Sequence, residues 1–119
     1  MRNGEMKRSK PVERRHELRV PVDLLVERHE RGVVFFDSAA DMGPGGIFVV
    51  RVHDMPLPPT LDLSIHLPDG EPPVRTDAYV VHRFAGHGMH RGYGLQFGSR
   101  LSQSDATRLR TFVRSRSAA

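Results

Sequence analysis

The sequence predicts a small all-β protein, an antiparallel barrel or sandwich of six short strands followed by one α-helix. Apolar and polar residues alternate in several short runs, and a period of two is typical of half-buried strands. These runs recur roughly every 10 to 15 residues with turn-forming residues between them, as in small barrels and sandwiches. A barrel would also leave no exposed sheet edge. Only the end of the chain has helical spacing.

The six predicted strands lie between residues 20 and 97. The first places Val20, Val22, Leu24 and Val26 on one face and ends near residues 30 to 32. The clearest alternation has Leu61, Leu63, Ile65 and Leu67 on one face and precedes a PDG turn at 68 to 70. The other four strands are VVFF at 33 to 36, IFVV at 47 to 50, VRTDAYVVHRF from Val74 and YGLQF from Tyr93.

An amphipathic helix is predicted at about residues 102 to 116. Ser102 and Asp105 have the spacing of a capping box, with Asp in place of the usual Glu or Gln. Leu109, Phe112 and Val113 follow at i, i+3 and i+4 and form one apolar stripe. We expect this stripe to cover an open end of the barrel, although periodicity does not say which end.

Length and composition favour a single domain. A chain of 119 residues with 38% hydrophobic content can bury one modest core. We expect a flexible basic leader at residues 1 to 12 and one domain at residues 13 to 116, with the barrel at about 19 to 98. The sequence has no cysteine, no apolar run of the roughly 20 residues that span a bilayer and no signal-peptide pattern. We therefore expect a cytoplasmic protein that does not bind membranes.

Charge is distributed unevenly along the chain. Residues 1–19 carry a net charge of +4, residues 20–99 a net charge of −4, and residues 100–119 again +4. A broad cationic face for duplex DNA requires many phosphate contacts spread over the folded surface, which this distribution does not favour. A local anion site at one or both ends is the better interpretation. A small nucleic-acid-binding protein that uses both basic ends remains the alternative from another class.

Two stretches contain the candidate binding residues. In the first, Arg14, Arg15 and Arg19 precede the first strand, and a guanidinium group can bind a phosphate in bidentate fashion or stack on a nucleobase. In the second, DMGPGG at 41 to 46, Asp41 could accept hydrogen bonds from a guanine while glycines allow a flat ring to approach the backbone. Taken alone, the arginine stretch also fits a solvated run of charges, and the DMGPGG stretch also fits an ordinary connection between strands.

Taken together, the two stretches resemble the PilZ domain, a bacterial receptor module for cyclic di-GMP. The family's RxxxR motif corresponds to Arg15 to Arg19, and its (D/N)xSxxG motif to Asp41 to Gly46. GYGLQF and the terminal helix also resemble the family, so the similarity extends from about Glu13 to Val113.

The resemblance implies a six-stranded antiparallel barrel of the split-barrel type with a C-terminal helix, which binds cyclic di-GMP across its rim. Arg15 and Arg19 would hold phosphates and guanine Hoogsteen edges, and Asp41 would accept from a guanine. The ligand-binding set implied is Arg14, Arg15, Arg19, Asp41, Gly43, Gly45 and Gly46, in which Gly46 keeps the turn open. A basic residue at the position of Arg14 is associated in the family with a stacked pair of ligand molecules.

Gly43 departs from the family pattern, which has serine there. The missing hydroxyl removes one hydrogen bond, a loss of about 0.5–1.5 kcal/mol or up to about tenfold in affinity. We therefore expect weakened rather than abolished binding. The alternative is an adaptor of the same fold that no longer binds the ligand and acts through protein contacts in motility or pilus function.

Neither catalysis nor metal binding is predicted, and no cofactor is expected. His82, His87 and His90 lie close together, but they fall on or beside a glycine-rich loop without a nearby carboxylate. No serine has the context of a nucleophile, and no Asp and His are paired by a recognisable motif.

We expect a stand-alone receptor, a monomer or homodimer. It would pass the signal to an unidentified protein effector by ordering its N-terminal arginine segment, with motility and biofilm formation as the processes concerned.

Overall fold

The computed structural model describes residues 18–50, 57–84 and 92–117. It contains six strands and one helix, as predicted. The elements are β1 (Val20–Glu30), β2 (Val33–Gly43), β3 (Gly46–Val50), β4 (Thr60–Ile65), β5 (Val74–Phe84), β6 (Gly92–Phe97) and α1 (Gln103–Ser117).

The strands form a closed antiparallel barrel in the order β1-β2-β3-β6-β5-β4. Strands next to each other in sequence pair directly, with one exception. β3 pairs with β6 instead of β4, and β4 reaches β1 to close the sheet. This closure is made by residues Val26 to His29 of β1 against Asp62 to Ile65 of β4. It confirms the six-stranded barrel, and with the sheet closed these strands do not end in an open edge.

Inward side chains of all six strands form a single apolar core. Val26, Ile65 and Val74 are completely buried in it, and the predicted inward face of β4 is buried as well. Burying one such aliphatic side chain contributes about 1.5–3 kcal/mol relative to leaving it exposed. The alternation that is visible in the sequence therefore corresponds to the inside and outside of the barrel.

Strand β2 extends well beyond the apolar run VVFF and continues through DSAADMG to Gly43. Its polar residues are accommodated by specific partners. The buried guanidinium group of Arg28 donates from Nε to Oδ2 of Asp37 at 2.9 Å and lies 4.5 Å from the centroid of the Phe35 ring. Ala39 and Met42 of the same strand point into the core. These contacts explain why a segment with three polar residues remains extended.

Helix α1 covers the end of the barrel at which β1 begins and the β4–β5 turn lies. Ser102 caps the helix, because its Oγ accepts a hydrogen bond from the backbone N–H of Asp105 at 3.1 Å. Leu109 and Val113 are buried in the barrel core, as the predicted stripe requires. Arg108 donates from Nε and Nη2 to the two carboxylate oxygens of Asp69, both at 3.0 Å, and so ties the helix to the turn after β4.

Candidate functional site

The structure brings together one residue from each of the two predicted binding stretches. Arg19 lies immediately before β1 and Asp41 near the end of β2, where Pro21 pairs with Asp41. Nε and Nη2 of Arg19 both contact Oδ1 of Asp41 at 2.7 Å. The side chains remain 38% and 46% exposed, so a ligand can reach both groups.

A groove of about 440 Å³ opens beside this ion pair on the outer face of the barrel, a volume within the range of small-molecule sites. It crosses strands β2, β3, β6 and β5. The lining residues are Arg19, Asp41, Gly45, Gly46, Ile47, Phe48, Val81, Gly94, Leu95 and Gln96. The groove therefore has a charged end and a floor that is mostly glycine and apolar.

The glycines of DMGPGG form a tight connection between β2 and β3. Gly43 is buried and pairs with Gly46, leaving Pro44 and Gly45 as the two turn residues. Phe97 of β6 donates its backbone N–H to the carbonyl oxygen of Gly45 at 2.9 Å. A Cβ at Gly46 would lie only 2.4 Å from the carbonyl oxygen of Leu95. Glycine at 46 is thus required by the close approach of β6, independently of any ligand.

Several residues of the sequence-predicted sites are not located by the structure. Arg14 and Arg15 lie outside the described residues. His87 and His90 do as well, and of His82 only the backbone, in β5, is described. Five members of the predicted ligand-binding set lie within the described residues, namely Arg19, Asp41, Gly43, Gly45 and Gly46.

The groove also contains residues that the sequence analysis did not single out. Phe48 comes from β3, Val81 from β5, and Gly94 and Gln96 from β6. A register shift between Val80 and His82 places Val81 at a bulge, where its side chain is 46% exposed. The consecutive valines in YVVHRF break the alternation and are a sequence signal for this bulge. In GYGLQF, Gly94 and Gln96 occupy the positions that alternate with buried Leu95.

No group of three or more His, Asp or Glu side chains in 18–50, 57–84 and 92–117 has an arrangement that could hold a metal ion. Over the same ranges, no helix combines the length and apolar character needed to cross a membrane.

The chain thus combines a closed six-stranded barrel and a terminal helix with an arginine-aspartate pair beside an open groove. The sequence model of the PilZ domain family matches residues 13–115. The chain belongs to the PilZ domain family, a family of non-catalytic cyclic di-GMP receptors. A comparison with curated protein sequences finds no significant match.

Solved structures with the same fold include three proteins of low sequence identity. The inhibitor of motility MotI/DgrA of Bacillus subtilis has a TM-score of 0.76 and 21% identity over 87% of this chain and 51% of its own. The PilZ domain of YcgR from Escherichia coli, with c-di-GMP, has a TM-score of 0.64 and 13% identity over 88% and 92%. Borreliella burgdorferi PlzA in complex with c-di-GMP has a TM-score of 0.59 and 10% identity over 97% and 57%. The chain thus spans about half the length of MotI/DgrA.

Proposed function

We propose that this protein is a receptor for cyclic di-GMP that binds the nucleotide in the groove beside Arg19 and Asp41. The observation that carries the proposal is the contact between these two residues, which are 22 positions apart and belong to two motifs of a cyclic di-GMP receptor family. An exposed guanidinium group suits a phosphate or a guanine Hoogsteen edge. A carboxylate suits the N–H donors of a guanine.

The N-terminal arginine segment would complete the site. Arg15 precedes Arg19 by four residues, and Arg14 directly precedes Arg15. Two phosphates and two guanine edges offer more acceptors than Arg19 alone can satisfy, so the bound anion would draw these arginines toward the groove. Ordering of this segment would change the surface presented to a protein effector, which is how we propose that the signal is relayed.

Calorimetric titration of the purified protein with cyclic di-GMP tests this function. We expect saturable heat and an increase in melting temperature with ligand concentration, because a ligand that binds only the folded state stabilises it. Cyclic di-AMP is the control for recognition of the base, and GMP is the control for recognition of the cyclic dinucleotide backbone. No heat and no change in melting temperature at high micromolar cyclic di-GMP would contradict the proposal.

Gly43 favours a second candidate function, an adaptor of this fold that has lost the ligand and acts through protein contacts. The substitution Gly43→Ser restores the family's hydroxyl and distinguishes the two. If the site is active, we expect affinity for cyclic di-GMP to increase by up to about tenfold, the value of one hydrogen bond. If Gly43→Ser folds normally and neither it nor the wild-type protein binds, the adaptor is the better description.

A further inference from the structure

Beyond β3, the groove continues away from the ion pair onto strand β6, which contains neither of the two binding motifs. We propose that Gln96 is a specificity-determining residue there, whose carboxamide binds the edge of a planar base that lies over Gly94. This inference rests on the proposed binding of cyclic di-GMP and deepens it, because it assigns a base-recognition position outside the motifs.

Gly94 creates the space for a ring. It pairs with Phe48 of β3 on one side and with His82 of β5 on the other, so it lies at the centre of three neighbouring strands. The outer strands of such a trio are about 9–10 Å apart, two strand spacings. Gly94 lines the groove and contributes no Cβ, so a flat ring can approach the backbone at this point more closely than at any other residue type.

Apolar side chains border this point of the groove. A Cβ at Gly92 would lie 2.5 Å from Cζ of Phe48, so the Phe48 ring is packed over Gly92, which only glycine permits. On the β5 side, the bulge turns the half-exposed Val81 toward the groove. Apolar borders of this kind offer no hydrogen bond, so the polar edge of a bound ring must be satisfied elsewhere.

Gln96 is placed to satisfy that edge. It follows Gly94 by two residues and therefore lies on the same outer face of β6, where it is exposed. Among the described groove-lining residues, it has the only neutral polar side chain. A carboxamide both accepts and donates, so it can accept from N1–H of a guanine and donate to O6 in two parallel hydrogen bonds. Asp41 lies two strands away across β3, which leaves the charged end of the groove to other parts of the ligand.

The substitution Gln96→Leu tests the inference because it keeps the size of the side chain and removes its hydrogen-bonding groups. Gln103→Leu is the matched control, since Gln103 is an exposed glutamine at the start of α1. In calorimetric titration with cyclic di-GMP, we expect Gln96→Leu to bind about tenfold more weakly than the wild-type protein and Gln103→Leu to bind equally well. Melting temperatures measured without ligand should be alike.

Proton NMR of the bound nucleotide separates direct recognition from an indirect effect. A guanine N1 imino proton that is hydrogen-bonded to Gln96 should give a slowly exchanging resonance that Gln96→Leu removes and Gln103→Leu retains. Unchanged affinity in Gln96→Leu, or weaker binding with that resonance retained, overturns the inference while the proposed function stands. Absence of binding by the wild-type protein overturns both.

Discussion

Arg19 and Asp41 are held together by an ion pair that remains open to water. Pairs with this degree of exposure contribute only about 0–1 kcal/mol to stability. The ion pair therefore orients the guanidinium group of Arg19, and breaking the pair costs little free energy. A ligand that offers a phosphate or a guanine edge can replace Asp41 as the partner of Arg19. It can also bind Arg19 while Asp41 stays in contact with the same guanidinium group.

We expect Arg19 to contribute directly to ligand binding. Replacing it by alanine should weaken cyclic di-GMP binding by roughly 10- to 100-fold, since hydrogen bonds to charged groups contribute about 1.5–3 kcal/mol. Arg110→Ala, on an exposed part of α1, is the matched control and should bind like the wild-type protein. Calorimetry measures both affinities. Equal loss in the two variants would indicate general electrostatic attraction instead of a specific site.

The close approach of β6 leaves no room for a side chain at Gly46. Because an added Cβ would meet a backbone oxygen of β6 and not a movable side chain, Gly46→Ala must displace a strand. We expect a loss of about 1–3 kcal/mol in the free energy of unfolding, typical of overpacking, measured by urea denaturation of the ligand-free protein. Unchanged stability in ligand-free Gly46→Ala would show that the strands accommodate the methyl group.

At the scale of secondary-structure elements, Asp77 fixes the connection between β6 and α1. The backbone N–H of Gly98 donates to the Asp77 carbonyl oxygen at 2.8 Å, and the N–H of Arg100 donates to Asp77 Oδ1 at 2.9 Å. A Cβ at Gly98 would lie 2.3 Å from Asp77 Oδ2, so glycine is needed for this contact. The connection directs the chain into the helix, which Arg108 and Asp69 then hold against the β4–β5 turn.

These contacts predict a loss of stability in acid. The Arg100 N–H lowers the pKa of Asp77, and the Arg108 guanidinium lowers the pKa of Asp69, both below the ordinary value of 3.8. A carboxyl group whose pKa is lower in the folded state binds fewer protons there. Its contribution is therefore complete above the unfolded pKa and is lost as pH falls through the folded pKa.

We accordingly expect the melting temperature to fall as pH decreases below about 4. Asp77→Asn should reduce the steepness of this decrease, because it removes one of the groups that must be protonated. Asp23→Asn, at an exposed position of β1, is the control and should leave the acid profile close to that of the wild-type protein. Identical profiles for wild type and Asp77→Asn would contradict the role of Asp77.

At the scale of the whole molecule, two basic chain ends flank a mildly acidic middle. The groove is in the middle part, but its charged end lies where the N-terminal segment joins β1. Under the proposed function, ligand recognition at this position would couple the barrel surface to the chain that precedes it. Amide hydrogen exchange followed by mass spectrometry reports on that coupling directly.

We expect saturating cyclic di-GMP to slow exchange in peptides that cover residues 13–19 by at least several-fold. Peptides from α1, which lie outside the groove, should change little and serve as the internal reference. Arg15→Ala should abolish the effect while the far-ultraviolet circular dichroism spectrum is retained. Ligand binding without any change in exchange at residues 13–19 would contradict the proposed relay.

The sequence by itself determined the number and type of the secondary-structure elements, because these follow local periodicity. The resemblance of the two motifs to the PilZ family also predicted that Arg19 and Asp41 lie near each other, and the structure has them in contact. The extent of β2 was underestimated, since its polar residues depend on partners such as Arg28 that lie on another strand.

Only the tertiary structure decided how β6 enters the site. The pairing of β3 with β6, and of β1 with β4, joins segments far apart in the chain, and no local pattern encodes such partners. The pairing of β3 with β6 puts Gly94 opposite Phe48 and Gln96 opposite Gly46, and it requires glycine at 46. These properties depend on which strands become neighbours when the barrel closes, and local residue patterns do not determine that.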